Sequence, residues 1–106
     1  MIGRFYFRLT TSGNLLGEFS NNLSNGNSTE SADRVSGNLN DFQGTYLSSW
    51  QENGTVLFAD LTISIKHAPN IFSLVWARNN KDIFWGEGFI IGDLLVGDYR
   101  DMPQVP

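Results

Sequence analysis

A chain of 106 residues with 41% hydrophobic content is long enough to bury one core unaided, and having no cysteine it offers no disulfide framework, thiol nucleophile or thiolate metal site. Lys and Arg total 7 against 11 Asp and Glu, a net charge of -4 that repels a phosphate backbone, so nucleic-acid binding is disfavoured. No apolar run approaches the roughly 20 residues that span a bilayer, and Met1-Ile2-Gly3-Arg4 opens into a strand-like pattern without a signal-peptide core. A soluble cytoplasmic protein with no membrane contact is expected.

In chain order, Arg4 to Leu9 alternates with period two, Ser12-Gly13-Asn14 turns, and Leu15 to Ser20 returns. Taken as a three-residue loop, Ser12 to Asn14 pairs Leu9 with Gly17 and Phe7 with Phe19, and sets Arg8 against Glu18. Arg4, Tyr6 and Arg8 in line admit a base-stacking reading, but the acidic balance favours an exposed charge-paired face. Residues 21 to 40 are dominated by Asn, Ser, Gly and Asp, with only Leu23, Ala32, Val35 and Leu39 to bury. That composition predicts a long loop with one helical turn around Thr29 to Val35, capped by Ser28, serving as a lid or as a surface insert.

The clearest signal follows. Asn53-Gly54 between two alternating runs is a two-residue hairpin turn, because a type I′ turn needs positive φ at both central residues. Counting outward, Trp50 faces Leu57, Ser48 faces Ala59, Tyr46 faces Leu61, Gly44 faces Ile63 and Phe42 faces Ile65 on a nearly apolar side. The other side sets Ser49 against Phe58, Leu47 against Asp60, Thr45 against Thr62 and Gln43 against Ser64. A slip of one residue exchanges the faces, so this register is held firmly. His67-Ala68-Pro69-Asn70 turns the chain again, pairing Ile65 with Phe72, Ile63 with Leu74 and Leu61 with Trp76. His67, the single histidine, reads as a surface residue. Asn79 to Asp82 leads into Ile83 to Ile91, Gly92-Asp93 into Leu94 to Arg100, and the proline-containing tail 102–106 ends the sheet. No segment shows sustained helical periodicity.

Glycine recurs two residues before an aromatic ring in Gly17-Glu18-Phe19, Gly44-Thr45-Tyr46 and Gly97-Asp98-Tyr99. Glycine and ring share a face, so the strand bends inward while a neighbouring ring covers the bared backbone. With this signature the chain resembles the calycin barrels, the lipocalin and avidin group. Tyr46 stands where that family usually has tryptophan, and no family ligand set carries over. Length gives one domain over residues 1–106 and the strand pattern an all-β antiparallel meander; the resemblance implies that about seven to eight up-and-down strands close into a small barrel. Seven strands are counted; a short strand near Val35 completes the barrel or the sheet stays partly open.

The last hairpin leaves two readings. Through Gly92-Asp93, Ile91 faces Leu94, Phe89 faces Val96, Glu87 faces Asp98 and Trp85 faces Arg100, while Phe84, Gly86, Gly88, Ile90, Leu95, Gly97 and Tyr99 lie opposite. A three-residue loop after Arg78 turns the glycine side inward and exposes Trp85, Phe89, Ile91, Leu94 and Val96, an apolar patch that predicts homo-oligomerisation. A two- or four-residue loop instead buries Glu87 beside Asp98, and one carboxyl of such a pair has a raised pKa suited to acid catalysis or cation binding.

The leading expectation is a non-catalytic barrel whose interior, lined by Phe42, Tyr46, Trp50, Leu61, Leu74, Trp76 and Tyr99, takes a small apolar or aromatic ligand. The alternative is a filled barrel acting as a structural or protein-interaction module, and an enzyme built on Glu87 and Asp98 comes third. No cofactor, metal site or nucleophile-base set is expected.

Overall fold

The computed structural model describes residues 1–67 and 70–103. Eight strands follow in chain order: β1 (Ile2–Leu9), β2 (Leu15–Asn21), β3 (Ser28–Ser36), β4 (Gly44–Glu52), β5 (Thr55–His67), β6 (Ile71–Arg78), β7 (Lys81–Ile91) and β8 (Leu94–Asp101). Each pairs antiparallel with the next, and β8 returns to β1, so the sheet is a closed up-and-down barrel. Closure removes the free edges that an open meander would present to other chains.

The central hairpin has the expected register from Gly44 opposite Ile63 to Glu52 opposite Thr55. Asn53 and Gly54 take φ of 50° and 79°, as the turn requires. Ile65, Ile63 and Leu61 likewise meet Phe72, Leu74 and Trp76. Of the turn expected at His67 to Asn70, Ala68 and Pro69 lie outside the described residues.

The first hairpin is shifted. Leu9 pairs with Leu15, Phe7 with Gly17 and Tyr6 with Glu18, because the loop runs from Thr10 to Asn14, closed by a Thr10 amide to Asn14 carbonyl bond of 2.8 Å. The shift is an even number of residues, so the faces survive: Phe5 and Phe7 are buried, whereas Arg4 and Arg8 are exposed. Tyr6, rather than Arg8, meets Glu18, and its hydroxyl bonds that carboxylate.

The largest difference from the sequence reading is β3. Ser28–Ser36 is a strand rather than a loop or helical turn, and it is the eighth strand that closes the barrel. Its inward face is Ser28, Glu30, Ala32 and Arg34, so two charged residues occupy positions where an apolar alternation would have announced a strand. Val35, on the outward side of the strand, is 72% exposed, and the register shifts between Arg34 and Ser36.

The parity of the last hairpin is set by a second irregularity. The turn at Asn79 and Asn80, with φ of 54° and 62°, has two residues, which alone would have sent Glu87 and Asp98 inward. A bulge after Trp76 intervenes: Trp76 pairs with Phe84 but Ala77 with Asp82, so one extra residue on β7 reverses the faces. Gly86, Gly88 and Tyr99 therefore turn into the barrel. The close approach this permits is visible at Gly97, where a Cβ would lie 2.0 Å from the Glu87 carbonyl oxygen; in the separate β1–β2 pair, a Cβ at Gly17 would lie 1.9 Å from the Tyr6 carbonyl oxygen. The Phe7 ring covers Gly17, the arrangement expected of a glycine bend.

Candidate ligand site at the open end of the barrel

The interior divides into a filled end and an open end. At the filled end Phe7, Leu15, Tyr46, Leu61, Ile63 and Leu74 are each no more than 2% exposed. The end is closed by Arg34, whose guanidinium lies 4.7 Å from the centre of the Tyr46 ring. It donates to the Gly13 carbonyl (2.7 Å), the Gln43 carbonyl (2.9 Å), the Asp41 carbonyl and the Tyr46 hydroxyl (2.8 Å). Tyr46 in turn donates to the Phe42 carbonyl at 2.6 Å. Burial is the main cause pushing the Tyr46 hydroxyl up to about 12, with the adjacent Arg34 pulling the other way. One side chain thus ties the β1–β2 loop to the β3–β4 loop across the barrel mouth.

The opposite end holds a cavity of about 500 Å³, within the usual range for small-molecule sites. Four rings pack pairwise into one cluster that forms part of its lining. Phe19 lies 6.4 Å from Trp50, Trp50 6.3 Å from Phe84, Phe84 6.0 Å from Tyr99, and Tyr99 6.1 Å from Phe19. Trp76 joins this cluster 5.9 Å from Tyr99 and reaches Phe5 at the same separation. Most of these contacts are edge-to-face, the arrangement that aromatic quadrupoles favour.

Glu30 lines this cavity and is only 5% exposed. It is seated between Gly17 of β2 and Trp50 of β4. The Ser48 hydroxyl donates to Oε2, and Trp76 Nε1 donates to the same oxygen at 2.8 Å. Oε1 accepts no hydrogen bond from a described side chain. Burial pushes the Glu30 carboxyl up to about 7, against the lowering effect of the two hydrogen bonds. Tyr99 is also raised, first by burial and then by the carboxylates of Glu30, Glu52 and Asp101, while the bond from Asn21 Nδ2 to its hydroxyl (3.1 Å) opposes the shift. At the rim Trp50 Nε1 donates to Glu52 (3.3 Å), and the Met1 amine pairs with Asp101 at 3.3 Å.

Of the seven interior residues expected to contact a ligand, Trp50, Trp76 and Tyr99 line the cavity. Phe42, Tyr46, Leu61 and Leu74 belong to the packed core. Sequence reasoning missed Glu30, Phe19 and Phe84. Glu30 was readable only by requiring an eighth strand and then testing period two through Ser28, Glu30, Ala32 and Arg34.

On the outer wall Phe89 and Ile91 are 47% and 54% exposed, while Leu94 and Val96 are half-buried. Trp85 is half-buried as well, with the Arg100 guanidinium 5.0 Å from its ring centre. Glu87 and Asp98 do face each other, but on this outer side. Lys66 bonds Glu87 and holds its carboxyl below the usual range, so the burial that would have made the pair an acid-base device is missing. Among the described residues no group of three or more His, Asp or Glu is placed to hold a metal ion.

Comparison with protein-family models, curated proteins and solved structures returns no match for this chain.

Proposed function

We propose that the open end of the barrel binds a small aromatic or largely apolar molecule and does not transform it. One observation carries this reading. The same barrel is packed tight at one end and at the other leaves about 500 Å³ lined by aromatic rings inside and by a polar rim at the mouth. A barrel whose sole task was to be stable would gain by filling that volume, since ring surface bordering unfilled space forfeits dispersion contacts there. The closed eight-strand meander is compatible with a calycin-like barrel, an architecture suited to such an interior site.

Intrinsic tryptophan fluorescence tests the site, because Trp50 and Trp76 both border it. Titration with 2-phenylethanol and 2-naphthol should give a saturable change that Trp50→Ala diminishes and that Ser28→Trp, filling the rim, abolishes. A strictly linear response, equal in all three proteins, refutes the site.

A second reading has its own observation. Phe89 and Ile91 stand out on the wall formed by β7 and β8, and apolar residues so exposed favour self-association. Sedimentation over a wide dilution range should show an oligomer that Phe89→Glu dissociates. Monomer at every concentration removes this reading.

A further inference from the structure

We propose that the molecule bound at the open end is an organic cation, a small aromatic amine in its protonated form, with its ammonium on Glu30 and its ring packed in the cavity against the Phe19, Trp50, Phe84 and Tyr99 cluster. This deepens the preceding proposal and rests on the open end being a ligand site.

The argument begins with the charges around the cavity. Its titratable groups are Glu30 on β3, Glu52 at the end of β4, Tyr99 and Asp101 on β8, and the Met1 amine. Among the described residues no Lys or Arg side chain lines it, and the one cation, the Met1 amine, is already paired with Asp101. An anionic ligand would therefore enter against three carboxylates with no cation to receive it. The walls carry the same sign, because the face of an aromatic ring is the negative part of its quadrupole and attracts cations.

Glu30 distinguishes a cation from a neutral ring. Both donors that reach it converge on Oε2, so Oε1 is the acceptor left for a ligand in the cavity it lines. A neutral hydrocarbon could occupy the cavity beside the rings, but it would strip water from a carboxyl that lacks a counter-charge. An ammonium supplies that counter-charge and up to three donors in one group. The carboxyl also lies among rings rather than apart from them: Trp76 donates to it while packing at a tilt against Tyr99. A primary amine one or two methylenes from an aromatic ring satisfies both requirements at once.

A matched pair of probes decides the matter, using the full chain at pH 8 and isothermal calorimetry or tryptophan fluorescence. Phenethylamine should bind at least about tenfold more tightly than 2-phenylethanol, a difference of the size one charge-assisted pair supplies. Glu30→Gln should remove most of that advantage while affecting the alcohol far less. The wild-type protein provides a second reading that needs no variant. Lowering the pH from 8 to 6 protonates Glu30, so the affinity for the amine should fall while that for the alcohol holds. Equal affinity for amine and alcohol, or an amine affinity indifferent both to Glu30→Gln and to this pH change, overturns the cation proposal and leaves the ligand site standing. Failure of both probes to bind overturns the site and this proposal together.

Discussion

The two ends of the barrel are built from the same strands and put to opposite uses. Strand β3 shows the contrast in miniature, because its inward face carries Glu30 toward one mouth and Arg34 toward the other, about 13 Å apart at the usual rise per residue. Arg34 is surrounded by backbone carbonyls and the Tyr46 hydroxyl, all of them acceptors suited to a guanidinium, so its charge is consumed within the protein. Glu30 has two donors, both on one oxygen, and a cavity beside it. A buried charge whose partners are all internal locks structure. A buried charge left partly open to a cavity is poised for something from outside.

This contrast can be broken most forcefully by truncating matched apolar residues. Leu74→Ala, in the filled end where Leu74 is 0% exposed, should lose about 4 kcal/mol by chemical denaturation, since such a cavity collapses poorly. Phe84→Ala, beside existing empty space, should lose less than about half of that despite removing a larger side chain. Equal losses would mean that the two ends are packed alike.

Glu30→Gln gives the next largest effect, with the opposite sign. A carboxyl whose folded pKa stands at about 7, above its ordinary value of 4.5, retains its proton better in the folded state. Its protonated form is thus favoured by folding below pH 4.5, and this contribution is lost as the pH rises through 7. Relative to wild type, Glu30→Gln should be about 3 kcal/mol more stable at pH 8 and nearly equal at pH 4. A Gln variant that is less stable at pH 8 than wild type would show that the carboxylate is a structural requirement rather than a strained group. Tyr46→Phe should have the smallest effect, a loss of about 1.5 kcal/mol, by removing one hydroxyl that serves both the Phe42 carbonyl and Arg34. Its midpoint of urea denaturation checks this, and no change would place the closure of that end on the other Arg34 bonds.

Much of the fold was legible because apolar alternation and turn chemistry agreed. Asn53-Gly54 fixed the β4–β5 pairing residue by residue, and the same face continued through Phe72, Leu74 and Trp76. What escaped notice was hidden for physical reasons. Strand β3 faces the interior with Glu30 and Arg34, so the pattern that betrays a strand is absent where polar groups do the interior's work. The inward face of β7 depended on a bulge after Trp76, and a one-residue bulge has no reliable mark in the sequence although it reverses every side chain beyond it. The candidate site was half legible for the same reason. Trp50, Trp76 and Tyr99 declared themselves as interior rings, whereas the division of that interior into filled and open halves depends on Arg34 and Glu30, both in the segment whose composition had suggested a loop.

The asymmetry of the barrel is tested most directly by mapping where a ligand touches it. In a ¹H–¹⁵N NMR titration with phenethylamine at pH 8, shifts should concentrate at Glu30, Trp50, Trp76, Phe84 and Tyr99, including the two indole N–H signals of Trp50 and Trp76. Arg34, Leu61 and Leu74 should remain where they were. Saturable shifts centred instead on the Arg34 end or on the outer wall at Phe89 and Ile91, or no saturable shifts at all, would contradict the account.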